Sequence, residues 1–348
     1  MSTVAITGIG GLIGRRLVAE LANSTEVERI VGIDARRPEG LHGDRIHLVV
    51  ADVRDGDLHR HLEGVDTLVH LAFQLDPLRD EVEMRSINVD GTRNLFAAGL
   101  AAGVRKIVYV SSGVVYGAHP DNDFPLTEDS PLRANPDFPY AEHKLEIERW
   151  LADWSADRET PIVTVLRPTV VAGPGVENFI SRQFEAPRAT AIRGHRPPMQ
   201  FVHVDDVASA LALTIERDLP GAYNVAPEGW LSFDEMLAVS GARTVEVPEE
   251  VAFSLAERLG AVGLSEVPVG QLHYVMHPWI LSPDRLIQAG WRPKRSNRDA
   301  LVELAEEHQG YVSVGRVRAR RRDVKLAAVG FVALGGLLLL RALRRDRS

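Results

Sequence analysis

The sequence predicts an α/β protein with a doubly wound parallel sheet, a smaller C-terminal lobe and a C-terminal apolar helix. In the first half, short β-branched runs alternate with longer helical patterns, which is typical of βαβ units. A glycine-rich turn separates the first run from the first helical pattern. The run Ile107–Val110 is apolar throughout, as expected of a parallel strand that is buried on both faces. These three observations predict the fold class.

Six strands and four helices are predicted for the sheet. The strands are Thr3–Thr7, Arg29–Asp34, Arg45–Asp52, Thr67–Ala72, Lys106–Ser112 and Ile162–Arg167. The helices are Leu12–Ala22, Asp55–Leu62, Glu81–Ala102 and Tyr140–Trp154. Because the strands are parallel, their carboxyl ends meet at one edge, where doubly wound sheets bind ligands.

Beyond about Gly173 the alternation weakens and irregular segments such as Arg196–Pro198 appear. We therefore assign residues 1–175 to a Rossmann-type domain, which the chain re-enters near 200–217. Residues 176–310 are assigned mainly to a substrate-binding lobe. Residues 311–348 form a basic tail that contains a candidate membrane helix at 325–341.

Composition narrows the possible functions. The chain has 348 residues and 45% apolar content, which is enough for a large core. It has no cysteine, which excludes disulfides, thiolate metal sites and cysteine nucleophiles. The net charge is −8, but residues 316–348 hold ten basic and two acidic side chains, so the remaining chain carries −16. Such an acidic body argues against nucleic-acid binding. No group of His, Asp and Glu has metal-ligand spacing, so we expect no metal.

The tail contains an uncharged stretch, Leu326–Leu340, between Lys325 and Arg341. As a helix it would span about 22 Å, less than the roughly 30 Å hydrocarbon core of a bilayer, and flanking basic side chains can narrow the gap. A core or oligomer-forming helix is the alternative. We expect a membrane anchor and a cytoplasmic catalytic domain, with no secretory signal before the first strand.

The glycine-rich turn is the strongest chemical signal. Gly8, Gly11 and Gly14 surround Leu12 and Ile13 between the first strand and the first helix. Glycine permits close backbone approach, and a helix N-terminus offers N–H groups to a phosphate. The turn therefore predicts dinucleotide binding at these five residues.

Acidic residues end the next two strands. Asp34 lies about twenty residues after the glycine turn, where a carboxylate can bind an adenosine ribose, so NAD is favoured. Arg36 and Arg37 leave NADP open, because they could meet a 2′-phosphate. Asp52 and Val53 could contact adenine, although Asp at a strand end is also common in turns.

Tyr140 and Lys144 lie four residues apart at the start of a predicted helix, hence on one face. The ammonium can lower the pKa of the phenol and make it a general acid/base. The fifth strand ends in the hydroxyls Ser111 and Ser112, which could hold a substrate oxygen. This spacing alone also arises by chance.

These motifs resemble the NAD-dependent epimerase/dehydratase family of extended short-chain dehydrogenases/reductases. The resemblance covers roughly residues 3–210 in the family's order, through Thr7-Gly8-x-x-Gly11-x-x-Gly14, His70-Leu71-Ala72, Asn88-Val89-Asp90-Gly91-Thr92-x-Asn94-Leu95, Val110-Ser111-Ser112 with Val115-Tyr116-Gly117, Tyr140-x-x-x-Lys144 and Leu166-Arg167-Pro168. It implies NAD(P) at the glycine turn, Tyr140 as acid/base, Lys144 as its orienting cation and Ser112 as the hydroxyl partner.

The resemblance also implies further cofactor contacts. They are Leu71, Ala72, Asn88, Ser111, Arg167 and Pro168, with Tyr140 and Lys144 touching the cofactor as well. Asn88 fits a helix-capping amide equally well. His70 lies inside an apolar strand and is interpreted as a core histidine, and His143 is given no role.

The substrate is less well defined. Nucleotide-sugar enzymes of this family usually have a cation where Met199 stands, so Arg193 or Arg196 would have to bind the diphosphate. Asn178 resembles the family's substrate-side asparagine. A hydroxysteroid or isoprenoid alcohol, handled at the membrane, is the alternative.

The sequence thus predicts an NAD(P)-dependent oxidoreductase or epimerase that acts on a small molecule, a secondary alcohol or ketone, by hydride transfer. A non-catalytic NAD(P)-binding membrane scaffold or sensor is the alternative of another class. Related enzymes dimerise through helices of the type predicted at Glu81–Ala102 and Tyr140–Trp154, so a homodimer is the default expectation.

Overall fold

The computed structural model describes residues 1–320, apart from 179, 186–187, 242, 262–266, 309 and 315–316. The predicted membrane helix at 325–341 lies outside the described residues. Within them, no helix has both the length and the apolar character needed to cross a bilayer.

The described residues form thirteen strands, most of them short. They are β1 (Ser2–Thr7), β2 (Val27–Asp34), β3 (Ile46–Val50), β4 (Thr67–His70), β5 (Lys106–Val110), β6 (Ile162–Pro168), β7 (Val170–Ala172), β8 (Arg188–Ile192), β9 (Phe201–His203), β10 (Gly221–Val225), β11 (Arg243–Val247), β12 (Tyr311–Val314) and β13 (Val317–Arg320). Seven of them form one sheet in the order β10-β6-β5-β4-β1-β2-β3.

All pairings in this sheet are parallel, which confirms the predicted doubly wound fold. Six strands correspond to the six predicted from sequence. The seventh, β10, was not predicted. It begins at Gly221 on the edge of the sheet, and its first three residues are only partly buried or exposed, so it lacks a continuous apolar run.

Nine α-helices occur in the described part of the chain. They are α1 (Leu12–Leu21), α2 (Glu81–Arg85), α3 (Gly91–Ala101), α4 (Pro139–Ser155), α5 (Val204–Glu216), α6 (Phe233–Ser240), α7 (Glu249–Ala261), α8 (Asp284–Gln288) and α9 (Asn297–His308). The helix predicted at Glu81–Ala102 is interrupted by a π-helical turn, Ser86–Asp90. The helix predicted at Asp55–Leu62 is reduced to a 3₁₀ turn at Leu58–His61.

Helices cover both faces of the sheet. On one face, Leu17 of α1 and Leu211 of α5 belong to one buried apolar cluster with the strands. On the other face, the ring of Phe96 in α3 stacks on Trp150 of α4 at a centroid distance of 6.2 Å and lies tilted against Trp154 at 6.4 Å. Burial on both faces leaves the carboxyl edge of the sheet as the open side.

The fifth strand is tied to α5 by a buried lysine. Lys106 Nζ donates to the carbonyl oxygens of Thr214 and Ile215, both at 3.0 Å, and lies 2.9 Å from a carboxylate oxygen of Asp218. The ammonium therefore caps the negative end of the helix dipole and satisfies carbonyls that the helix leaves free. This contact fixes α5 against the centre of the sheet.

Candidate functional site

A cavity of about 860 Å³ lies at the carboxyl edge of the sheet. One side of it is formed by the glycine turn, the ends of β4, β5 and β6, and the start of α4. The other side is formed by α6, α7 and the segment around residues 267–279. The cavity therefore joins the sheet to the smaller lobe, as expected for a ligand site in a doubly wound fold.

Two glycines of the turn, Gly8 and Gly14, occupy positions that leave no room for a side chain. Gly8 has φ +67°, and a Cβ there would lie 2.7 Å from the backbone nitrogen of Ala72. At Gly14, a Cβ would lie 2.7 Å from the carbonyl oxygen of Gly8. The predicted cofactor residues of this turn all line the cavity, namely Gly8, Gly11, Leu12, Ile13 and Gly14. A bare backbone at the start of α1 fits the pyrophosphate of NAD.

Asp34 ends β2 beside this turn. One carboxylate oxygen accepts the N–H of Gly10 at 3.0 Å, and the other accepts the N–H of Arg36 at 3.2 Å. The carboxylate is thus held next to the glycine turn, although Asp34 does not line the described cavity. This position fits a ribose contact at the rim of the site.

Asp52 and Val53 follow β3, and their contact with adenine stays a prediction. The Asp52 carboxylate pairs with the guanidinium of Arg54 at 2.8 Å, and this hydrogen-bonded pairing lowers the pKa of Asp52. Val53 is buried against Gly91. A Cβ at position 91 would lie 2.5 Å from the Val53 side chain, so the absence of a side chain on Gly91 makes room for Val53. Neither residue lines the cavity, because one is already paired and the other packs into the core.

A buried chain of polar contacts runs beneath the glycine turn. The hydroxyl of Thr7 lies 2.7 Å from His70 Nδ1, and His70 Nε2 lies 2.8 Å from the hydroxyl of Thr92. The Thr92 hydroxyl donates to the carbonyl oxygen of Asn88 at 2.5 Å, and Thr7 accepts the N–H of Ala72 at 3.3 Å. Burial, assisted by the charge of a nearby lysine, lowers the pKa of His70 to about 3. The structure confirms a satisfied core histidine.

Asn88 positions the segment that follows β4. Its side-chain oxygen accepts the N–H of Gln74 at 2.7 Å, and its Nδ2 donates to the Gln74 carbonyl at 3.0 Å. His143, to which the sequence assigned no role, lies 3.3 Å from the same amide. Of the predicted contacts here, Leu71 lines the cavity, whereas Asn88 and Ala72 lie behind it. Asn88 therefore shapes the cavity indirectly, by holding the backbone of Gln74 in the segment after β4.

Tyr140 stands in the first turn of α4, directly after Pro139. Its hydroxyl lies near the side chain of Ser112, and both residues line the cavity. Burial raises the pKa of Tyr140 to about 12, and the interaction with Ser112 acts in the opposite direction. The ring packs edge-on against Phe73 with a centroid distance of 5.6 Å. The phenol is therefore held in one orientation, with its oxygen beside a second hydroxyl.

Lys144 lies one helical turn after Tyr140, on the same face. Its Nζ donates to the carbonyl of Val110 at 2.7 Å and lies 5.8 Å from the centroid of the Tyr140 ring. Burial lowers the pKa of Lys144 well below its usual value, while Glu148 partly opposes this shift. A cation at this distance favours the ionised phenol when the ammonium is protonated.

The three other predicted cofactor contacts, Ser111, Arg167 and Pro168, do not all line the cavity. Pro168 lines the cavity together with Ser111, whose buried hydroxyl has no hydrogen-bond partner among the described residues. Arg167 does not line it, and its contact with the cofactor stays a prediction. Its guanidinium is buried against the carboxylate of Glu148 at 2.6 Å and donates to the hydroxyl of Tyr116 at 2.7 Å. Arg167 therefore ties β6 to α4 beneath the site.

On the substrate side, Asn178 and Met199 line the cavity. The two arginines that were expected to bind a diphosphate, Arg193 and Arg196, do not line it. Arg193 is exposed, and Arg196 is exposed and paired with Asp234 at 3.1 Å and with Glu246 at 3.3 Å. Neither arginine therefore lines the described cavity, and their contact with a diphosphate stays a prediction.

The comparisons with known proteins agree with this geometry. The NAD dependent epimerase/dehydratase family matches residues 4–226. A UDP-glucose 4-epimerase of Mycolicibacterium smegmatis is 34% identical over 325 residues, which cover 86% of this chain and 96% of that protein. An uncharacterized protein of Mycobacterium tuberculosis is 27% identical over 306 residues, 85% of this chain and 81% of its own length.

Solved structures show the same fold. MoeE5 in complex with UDP-glucuronic acid and NAD has a TM-score of 0.69 and 25% identity, covering 87% of this chain and 98% of its own. A dTDP-glucose 4,6-dehydratase of Bacillus anthracis with NAD has a TM-score of 0.66 and 18% identity, covering 88% and 96%. With the glycine turn and the Tyr140–Lys144 pair in place, the chain belongs to the NAD-dependent epimerase/dehydratase family and is an NAD-dependent enzyme.

Proposed function

We propose that the protein interconverts a secondary alcohol and a ketone, with Tyr140 exchanging the hydroxyl proton. The observation that carries this proposal is the grouping of Tyr140, Ser112 and Lys144 around one cavity that also holds the glycine turn. When bound, NAD supplies the acceptor or donor of hydride. The glycine turn would hold its pyrophosphate, Asp34 its adenosine ribose, and Ser111 and Pro168 would lie along it.

Each catalytic side chain has a distinct task. Ser112 orients the substrate oxygen through a hydrogen bond, which also places that oxygen beside Tyr140. In the oxidative direction the ionised phenol takes the hydroxyl proton, and in the reductive direction the neutral phenol returns it. Burial raises the pKa of Tyr140 to about 12, so the positive charge of Lys144 is needed to make the ionised form accessible.

The domain roles follow from the same arrangement. Residues 1–175, together with the segment near 200–217, would bind the cofactor, and residues 176–310 would mainly bind the substrate. The homodimer and the membrane anchor at 325–341 stay predictions from the sequence.

A nucleotide sugar is the substrate that the relatives favour. The relative that is 34% identical is named as a UDP-glucose 4-epimerase, and the MoeE5 structure contains UDP-glucuronic acid. With such a substrate, oxidation followed by return of hydride to the other face of the ketone would give epimerisation without net redox change. This candidate rests on likeness alone.

The test is Tyr140→Phe, assayed for turnover with secondary alcohols and UDP-sugars and for NAD binding by fluorescence titration. We expect the rate to fall by about 10²- to 10⁴-fold, because the proton exchange is lost, while NAD affinity is unchanged. Tyr223→Phe is the matched control, since its hydroxyl donates only to a backbone carbonyl near the surface. Full turnover by Tyr140→Phe would overturn the assignment of Tyr140 as the acid/base. NAD binding without turnover of any probe by the unaltered protein, and unchanged by Lys144→Met, would instead favour a non-catalytic NAD-binding scaffold.

A further inference from the structure

We infer that the substrate is an uncharged and mainly apolar alcohol or ketone, and not a molecule held through a diphosphate. This inference rests on the proposed function, because it places the substrate in the same cavity, against Tyr140 and Ser112. Three observations on the substrate side carry it: the charge of the lining, its apolar helix faces and one buried amide.

The charge of the described lining does not suit a diphosphate. Its charged residues are Asp76, Lys144 and Glu177. Asp76 lies 3.3 Å from Arg182, and Glu177 lies 2.8 Å from Arg318, so nearby arginines already face carboxylates. Phosphate groups are normally held by arginine forks or lysines that point at them. The two carboxylates of this wall are paired with arginines and offer a phosphate no hydrogen-bond donor.

Lys144 is the one cation in that described lining, and it is committed elsewhere. Its ammonium donates to the Val110 carbonyl and lies 3.4 Å from the centroid of the Phe73 ring. It therefore stands beneath Tyr140, at the catalytic end of the cavity.

The wall provided by the smaller lobe is apolar. From α7 it takes residues spaced as one helix face, Ala252, Leu255, Ala256 and Leu259. From α6 and its surroundings it takes Phe233, Met236, Leu237, Val247, Ile192 and Pro197. Leu255 is 50% exposed although it faces the cavity, so an apolar ligand would remove this surface from water. Such a wall favours a hydrocarbon skeleton over a sugar nucleotide.

A single buried amide adds specificity to this wall. Gln271 lines the cavity and is only 6% exposed, yet its side-chain oxygen has no hydrogen-bond partner among the described residues. A buried acceptor without a donor is unfavourable, and a hydroxyl on the ligand would satisfy it. The substrate therefore carries at least one hydrogen-bond donor where it meets Gln271.

The experiment measures binding to the full-length protein saturated with NAD, by calorimetry, and turnover by NADH fluorescence. The probes are a hydroxysteroid, menthol as a small cyclic isoprenoid alcohol, UDP-glucose and UDP alone. We expect saturable binding and turnover with at least one of the two apolar alcohols, and none with UDP or UDP-glucose.

Two lysine variants localise the site. Leu255→Lys places a charge on the cavity wall and is expected to weaken the apolar probe about tenfold. Val251→Lys is the matched control, because Val251 is on the same helix and 52% exposed but does not line the cavity. Gln271→Leu is expected to weaken a hydroxylated probe about fivefold. Unchanged NAD affinity in all three variants shows that the fold is intact.

The outcomes separate this inference from the proposed function. Binding or turnover of UDP-glucose, with no saturable binding of either apolar alcohol, overturns the inference. An equal loss of affinity for the apolar probe in the two lysine variants overturns it as well. So does the absence of binding and turnover with every probe. The proposed function fails only if Tyr140→Phe leaves turnover of the accepted probe unchanged. A UDP-sugar activity that Tyr140→Phe abolishes would therefore keep the catalytic proposal and discard the apolar substrate.

Discussion

The two sides of the cavity are built on different principles. On the cofactor side, the backbone itself forms the wall, and Gly8 and Gly14 are packed so closely that a Cβ would lie 2.7 Å from backbone atoms. On the substrate side, the wall consists of side chains on α6 and α7, and Leu255 is half exposed. The first side therefore tolerates little change in shape, whereas the second can change its ligand through single side chains.

The largest expected effect tests the rigid side. Gly8→Ala adds a Cβ at a positive φ and against the backbone of Ala72, so the turn must shift. We expect the affinity for NAD to fall by about a hundredfold, measured by fluorescence titration.

Gly64→Ala is the control that isolates the cause. Gly64 also has a positive φ, +72°, but a Cβ there meets no atom within 4 Å. We expect it to lower the free energy of unfolding by about 1 kcal/mol and to leave NAD affinity unchanged. Equal loss of NAD affinity in both variants would break the comparison, because backbone strain alone would then explain it.

A smaller effect is expected at the rim of the cofactor side. Asp34→Asn keeps an oxygen for the N–H of Gly10 but removes the charge that opposes a 2′-phosphate. We expect NAD to bind about tenfold more weakly and NADP to gain relative to it, as measured by competitive titration. Asp52→Asn, at the end of the neighbouring strand, should change neither affinity, since Arg54 already pairs with that carboxylate. A change in the preference between NAD and NADP in Asp52→Asn alone would indicate that the ribose binds at the end of β3 and not at Asp34.

The smallest effect concerns stability beneath the glycine turn. The pKa of His70 is about 3 in the folded protein, below its ordinary value of 6.5. Between these two pH values the unfolded chain therefore binds a proton at His70 and the folded chain does not. Its contribution is complete above pH 6.5 and is lost as the pH falls toward 3. We expect about 0.8 kcal/mol less stability from this group at pH 6.0 than at pH 7.5, measured by urea unfolding.

Comparing how the free energy of unfolding changes with pH in two variants shows how much of that change is due to His70. His70→Gln should flatten it, whereas His47→Gln, which changes an exposed histidine on β3, should leave it unchanged. An unchanged slope in His70→Gln would mean that other buried groups dominate the acid response.

The sheet could be predicted because its evidence is local. Each of the six predicted strands is an apolar run, and the glycine turn places the first strand and helix without any distant information. The π-helical turn at Ser86–Asp90 could not be predicted, because its residues contain neither glycine nor proline and read as ordinary helix. Strand β10 depends on pairing with β6, more than fifty residues earlier, so its short edge sequence was not informative.

The site divides in the same way. Gly8, Gly14, Tyr140 and Lys144 were found because each motif is contiguous or spans one helical turn. Arg167 was assigned to the cofactor through the resemblance of Leu166-Arg167-Pro168, whereas its ion pair with Glu148 could not be predicted, because Glu148 lies in another element and the contact is visible only in three dimensions. The substrate wall was missed for the same reason, since apolar residues on a helix face do not reveal whether they meet a core or a cavity.

The polar chain beneath the glycine turn also has a direction. The Thr92 hydroxyl gives its proton to the Asn88 carbonyl, so it must accept from His70 Nε2, and His70 Nδ1 must then accept from Thr7. A backbone carbonyl at one end and a backbone N–H at the other thus select a single imidazole tautomer. The nitrogen-15 resonances of His70 would consequently report any displacement of the loop that carries Ala72, without a label being added to the site.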